Sequence, residues 1–173
     1  MLCFPQMATK AQITAEQYLH MTFEHDAEFV HGEIVERSMP NYTHGRIQTL
    51  LSSLFEAVRS PHRLLACSGV RMRIAPDLYR IPDIAVFVNA PKLAVPEQPP
   101  MVVGEILSPD DRYHDVVEKL DEYRMWGVPN VWVVGPLAKR FAVYTDWGLQ
   151  YVSSLALADY SLELTPGILF SDL

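Results

Sequence analysis

The chain has 173 residues, with 14 Lys or Arg against 21 Asp or Glu, and so a formal net charge of −7. That length fits one domain with a sizeable core. The acidic balance speaks against a protein that coats nucleic acid nonspecifically, because phosphate binding rests on clustered Lys and Arg. The two cysteines, Cys3 and Cys67, are too few for a disulfide framework or a Cys-based zinc site, so a reduced, cytoplasmic setting is expected.

The opening MLCFPQMATK lacks the basic and long apolar regions of a signal peptide. Residues 1–11 therefore read as a loose leader and residues 12–173 as a single domain. No apolar run approaches the ~20 residues that span a membrane. TAEQYLHM starts a short helix, with Thr14 and Gln17 spaced as a capping box. AEFVHGEIVER follows as a hairpin turning at His31-Gly32, since glycine supplies the positive φ that such turns require. Its register pairs Val30 with Glu33 and sets Glu28, Val30, Glu33 and Val35 on one face. A helix is expected from about His44 to Arg59, with Ile47, Leu51, Leu54, Phe55 and Val58 as its buried stripe.

LLACSGVRMRI, IPDIAVFV and MVVGEIL then read as strands, the last two separated by a Pro-rich loop over residues 89–100. After SPDD a helix is expected from about Tyr113 to Trp126, stopped by Gly127, with Pro129 beyond. NVWVVGP is a further buried strand, RFAVYTDWGLQYV a second hairpin, and TPGILFSDL a terminal tail. This order implies an α/β or α+β fold: a mixed central sheet flanked by helices, with an N-terminal hairpin.

Two acids interrupt these strands. Alternation puts Ile81, Asp83, Ala85 and Phe87 on one face of the first, and Met101, Val103, Glu105 and Leu107 on one face of the second. A carboxylate among apolar neighbours is costly unless it neutralises or finds a partner. Each acid alone could sit at a wet strand end or pair with Arg71 or Arg73. Together, on neighbouring strands, they could converge on one hard divalent cation such as magnesium.

In the following helix Val116, Leu120 and Tyr123 mark the sheet-facing stripe, and Lys119 lies on it. A snorkelling lysine is the ordinary explanation. Beside two inward carboxylates, an inward ammonium becomes the third member of a site.

FVHGEIVER, IPDIAVFV, GEILSPDDRYHDVVEKLDEYRMWGVPNVWVVGP and TPGILF resemble the Uma-two family within the PD-(D/E)XK nuclease superfamily. The likeness runs from about residue 24 to the C-terminus, and its specific part is the central segment with Ser108-Pro109, Glu118-Lys119-Leu120, Tyr123 and Gly127-Val128-Pro129. The resemblance implies a restriction-endonuclease-like fold that hydrolyses DNA phosphodiesters with magnesium, manganese being a possible substitute. By that likeness Asp83 and Glu105 are the metal ligands and catalytic acids. Lysine is expected two positions after Glu105, but Leu107 stands there, and Lys119 fills its place from the next helix. Glu33 matches the hairpin glutamate, a further catalytic acid or an exposed hairpin residue. His44, one turn before Ile47, lines the same cleft, caps its helix or sits in the core.

On this reading Lys119 positions the attacking water or offsets developing charge. Arg71, Arg73, Arg80 and Arg112 are candidates for contact with the nucleic-acid backbone. Cutting both strands of a duplex calls for a homodimer, with the Trp147 hairpin and the apolar GILF as seams. The competing possibility is a nuclease-like scaffold without catalysis that binds a protein or nucleic acid. No phosphate-cradling Gly-rich loop, zinc-type His pair or nucleophile elbow is present.

Overall fold

The computed structural model describes residues 13–173, so the expected leader and Cys3 lie outside the described residues. The elements in chain order are α1 (Ala15–His20), β1 (Ala27–Val30), β2 (Glu33–Glu36), α2 (Tyr42–Ala57), α3 (Arg59–His62), β3 (Leu64–Ser68), β4 (Met72–Ala75), β5 (Leu78–Arg80), β6 (Ile84–Val88), β7 (Val102–Ile106), α4 (Tyr113–Trp126), β8 (Asn130–Gly135), β9 (Arg140–Thr145), β10 (Gly148–Val152), β11 (Leu155–Leu157), β12 (Leu162–Leu164) and α5 (Pro166–Leu169). The result is a mixed α+β fold.

A six-stranded sheet in the order β10-β9-β8-β7-β6-β3 forms the centre. Only β7 and β8 run parallel within it, joined through α4 as parallel strands require a long crossover. Strand alternation divides its side chains between two helical layers. Ile84, Val86, Val102, Ile106, Trp132 and Val134 pack with Ile47, Leu51 and Phe55 of α2. Ala85, Phe87, Val103, Val131 and Val133 pack with Leu120 and Tyr123 of α4. Gly104 is where β7 passes β6 most tightly: a Cβ there would lie 2.6 Å from Ile84 Cγ2. The absence of a side chain thus lets the strand bearing Glu105 approach its neighbour.

A four-stranded sheet, β2-β1-β5-β4, carries the hairpin. His31 (φ 49°) and Gly32 (φ 91°) form its turn, and Val30 pairs with Glu33 as the pattern predicts. The capping box of Thr14 and Gln17 starts α1, whose Tyr18 stacks on Phe29 at 5.3 Å and meets Tyr79 edge-on at 5.4 Å.

The expected long strand LLACSGVRMRI is broken. Gly69 takes a positive φ of 61° after β3, and the chain changes sheet before β4, so one apolar run serves two layers. Asn41 caps α2 and starts it two residues before His44. The terminal segment is not a loose tail: α5 seats Leu169, and Phe170 packs on Phe141 at 5.7 Å. Among the described residues no helix is long and apolar enough to cross a membrane.

Candidate active site

Asp83 stands directly before β6 and is 2% exposed. Its Oδ2 accepts the Ile106 N–H of β7 at 2.7 Å, a bond that replaces a ladder contact and pins the strand entrance. Its Oδ1 faces two donors, Arg37 Nη2 at 2.6 Å and His44 Nε2 at 3.0 Å. Gln48 of α2 holds the Asp83 carbonyl at 3.0 Å.

Glu105 projects from β7 toward α4. Its Oε1 accepts from the Tyr123 hydroxyl at 2.9 Å and lies 3.0 Å from Lys119 Nζ. That ammonium also lies 2.9 Å from Glu28 Oε1, so one lysine is shared by two acids. Glu28 in turn accepts the Ile81 N–H at 2.8 Å and Arg80 Nη1 at 2.9 Å. Arg80 closes the chain on Glu122 with Nε at 2.6 Å and Nη2 at 2.8 Å. A cleft of about 580 Å³ opens on Asp83, Glu105, Lys119, Arg37 and His44.

The acids differ in the direction of their pKa shifts. Burial pushes the Glu105 carboxyl up; Lys119 opposes this, Asp83 and Glu28 add to it, and its pKa reaches about 7. Burial acts on Asp83 in the same direction, but the His44 hydrogen bond, with the charges of His44, Arg37 and Lys119, holds it below its ordinary value. Glu28 is likewise held low against burial by Lys119, Arg80 and the Ile81 N–H. For Lys119 burial is outweighed by Glu105 and Glu28, which raise its pKa and keep it charged.

The structure brings Asp83, Glu105 and Lys119 together at one cleft. Glu33 is not among them: it begins β2 exposed and does not line the cleft. Glu28, on the facing strand and buried, occupies the inner place instead. Arg112 is exposed on the cleft rim at the start of α4. Arg80 lines the cleft but is 6% exposed, and three of its N–H donors are spent on Glu28 and Glu122. Arg71 and Arg73 do not line the cleft; they stack on Tyr18 (4.6 Å) and Tyr79 (5.9 Å), and Arg73 also pairs with Glu97 at 2.8 Å.

Sequence reasoning missed Arg37, Glu28, Glu122 and the Tyr123 hydroxyl as members of this network. Glu28 carried the same signal as Asp83, an acid within an apolar strand. Arg37 carried none, because it follows β2 in irregular chain.

Among the described residues no three His, Cys, Asp or Glu side chains form a cluster able to hold a metal ion by themselves. Asp83 and Glu105 supply oxygen donors of the kind a hard cation takes, which uses one or two carboxylates and completes its shell with water and substrate oxygens. The four acids Glu28, Asp83, Glu105 and Glu122 face the three permanent cations Arg37, Arg80 and Lys119, which leaves one negative charge without a permanent counter-charge.

The fold is shared with a solved structure described as a putative nuclease belonging to DUF820, from Anabaena variabilis ATCC 29413. The TM-score is 0.81 at 23% identity, over 92% of this chain and 98% of that one. No curated protein matches the sequence. A family model matches residues 15–169, nearly the whole of the described chain, and on that extent the protein belongs to the Uma2 family, described as "Putative restriction endonuclease".

Proposed function

We propose that the chain is a magnesium-dependent endonuclease that hydrolyses DNA phosphodiester bonds, with manganese as a possible substitute. The observation that carries this reading is the meeting of Asp83, Glu105 and Lys119 in one cleft, with Glu105 short of counter-charge. The cleft lining holds seven Asp or Glu against five Lys or Arg, so a phosphate backbone needs added positive charge to enter it. Asp83 and Glu105 would hold that charge, and a bound divalent ion supplies Lewis acidity and an acidified water.

Lys119 then works from a fixed seat. Glu28 and Glu105 keep its ammonium protonated and pointed into the cleft, where it can donate to a phosphate oxygen or to the attacking water. Glu28 orients that lysine. Arg112 on the rim is placed to meet the backbone. Two copies would serve the two strands of a duplex. The Trp147 turn, 88% exposed, and edge strand β10 with exposed Tyr151 suit a seam; Leu169 and Phe170 of GILF are buried in the core and do not.

A non-catalytic scaffold is the second reading, and the closure of Asp83 Oδ1 by both Arg37 and His44 favours it. Nicking of supercoiled plasmid with magnesium, manganese or calcium, at several salt concentrations, separates the two. Magnesium- or manganese-dependent nicking, lost in Asp83→Asn, fits the nuclease. DNA retention without nicking under every ion fits the scaffold. Light scattering that finds only monomer while both strands are cut would contradict the dimer.

A further inference from the structure

Arg37 begins the irregular segment between β2 and α2. Its backbone N–H donates to the Asp26 carbonyl at 2.9 Å, which fixes the main chain there. The side chain is bonded at a single nitrogen, while Asp83, Glu105 and Glu28 all attract its charge. One nitrogen, Nη2, makes its 2.6 Å bond to Asp83 Oδ1, and the side chain is 21% exposed. Arg80, by contrast, uses three nitrogens on two carboxylates, and its side chain is 7% exposed. Arg37 also borders two spaces. It lines the main cleft and a second cavity of about 260 Å³, which shares Ser38, Met39 and Pro40 with the cleft and includes Asp26. Arg37 thus borders open space outside its present seat.

Asp83 Oδ1 has no direction left for a cation while this seat is taken. Its Oδ2 is engaged by a strand N–H, and Oδ1 faces both Arg37 and His44. A carboxylate oxygen offers about two lone-pair directions. His44 sits within α2 on a helix pinned by its Asn41 cap, so Arg37 is the donor free to leave.

We propose that Arg37 is an exchangeable counter-ion: it holds Asp83 in the cation-free protein and vacates Oδ1 when a divalent cation binds. Guanidinium and cation therefore compete for one carboxylate. The proposal rests on the reading of Asp83 and Glu105 as the cation's ligands. An internal competitor lowers apparent affinity by the fraction of sites it closes.

Calorimetric titration with manganese chloride tests this on wild type, Arg37→Met, Arg37→Lys and Asp83→Asn. Removal of the competitor should tighten manganese binding about tenfold in Arg37→Met. Arg37→Lys, which restores the charge, should return affinity toward wild type, and Asp83→Asn should lose binding. Arg37→Met should also melt below wild type without metal and gain more on manganese addition. Arg37→Gln, neutral and so a weaker competitor for Asp83, should tighten manganese binding in the same direction but by less, and serves should the Met variant not fold. Equal affinity in wild type and Arg37→Met, or weaker binding in the variant, overturns the exchange and leaves the metal site standing. Absence of binding in every protein overturns the exchange and the metal site together.

Discussion

The Glu28–Arg80–Glu122 arm and the Asp83–Glu105–Lys119 arm draw on the same kinds of side chain, yet they stand in different electrostatic states. In the first, a planar guanidinium meets one partly buried carboxylate with two parallel bonds and a buried one with a third. In the second, a point-like ammonium is divided between acids, and Glu105 shares its Oε1 between Lys119 and a neutral tyrosine. The first arm pairs its guanidinium with both of its acids and braces β1, β5 and α4. The second is short of positive charge and opens on the cleft. Burial alone does not mark a site; burial with incomplete compensation does.

The sharpest way to break the comparison is to remove an acid from the open arm. Asp83→Asn and Glu105→Gln should each abolish metal-dependent nicking of plasmid. Their melting temperatures should then part. Glu105→Gln keeps an oxygen for Tyr123 and should melt at or above wild type without metal. Asp83→Asn should melt lower, because Arg37 and His44 lose their anion.

Breaking the first arm should do the reverse. Arg80→Met leaves Glu28 and Glu122 facing each other without their guanidinium and should cost about 3–5 kcal/mol in urea unfolding. An Arg80→Met protein as stable as wild type would show that this arm does not brace the sheet.

Lys119 belongs to both arms, and its variant should show both effects. Lys119→Met should lower turnover about 100-fold, as loss of a transition-state contact does. It should also reduce stability, since Glu28 and Glu105 then lack their shared ammonium. Glu118→Gln, exposed on the opposite side of α4, is the control and should be nearly silent in activity and unfolding assays.

The smallest effect is in pH. Glu105 has a pKa of about 7 in the fold against an ordinary 4.5, so the folded protein binds the extra proton. Its stabilising contribution is complete below about pH 4.5 and is lost as pH rises through about 7. Glu28 and Asp83 act oppositely, being lowered, and their contribution fades as pH falls through their folded values. Melting curves from pH 5 to 8 should therefore show Glu105→Gln gaining on wild type by a few degrees toward the alkaline end. A constant gap would mean that Glu105 is not the group that titrates.

Much of the open arm was legible in the sequence, and the reason is periodicity. Strand alternation makes an inward acid conspicuous at Asp83 and Glu105, and helical spacing does the same for Lys119. Glu28 met the same criterion, but in a four-residue strand beside a turn the pattern is too short to separate it from Glu33. Arg80 read as a surface cation because its partners lie 52 and 42 residues away. Arg37, 46 residues from Asp83 and in no regular element, had no pattern to betray it. The sheet change at Gly69 was hidden for a related reason: both strands are apolar, and only the long-range pairing of β4 with β5 separates them.

The central claim, that the under-compensated acids form a cation site, is tested most directly by calorimetric titration of magnesium into wild type and Glu105→Gln at pH 8. The account predicts one ion per chain in wild type and none in the variant at the same concentrations. Equal binding by both proteins, or none by wild type, would contradict it.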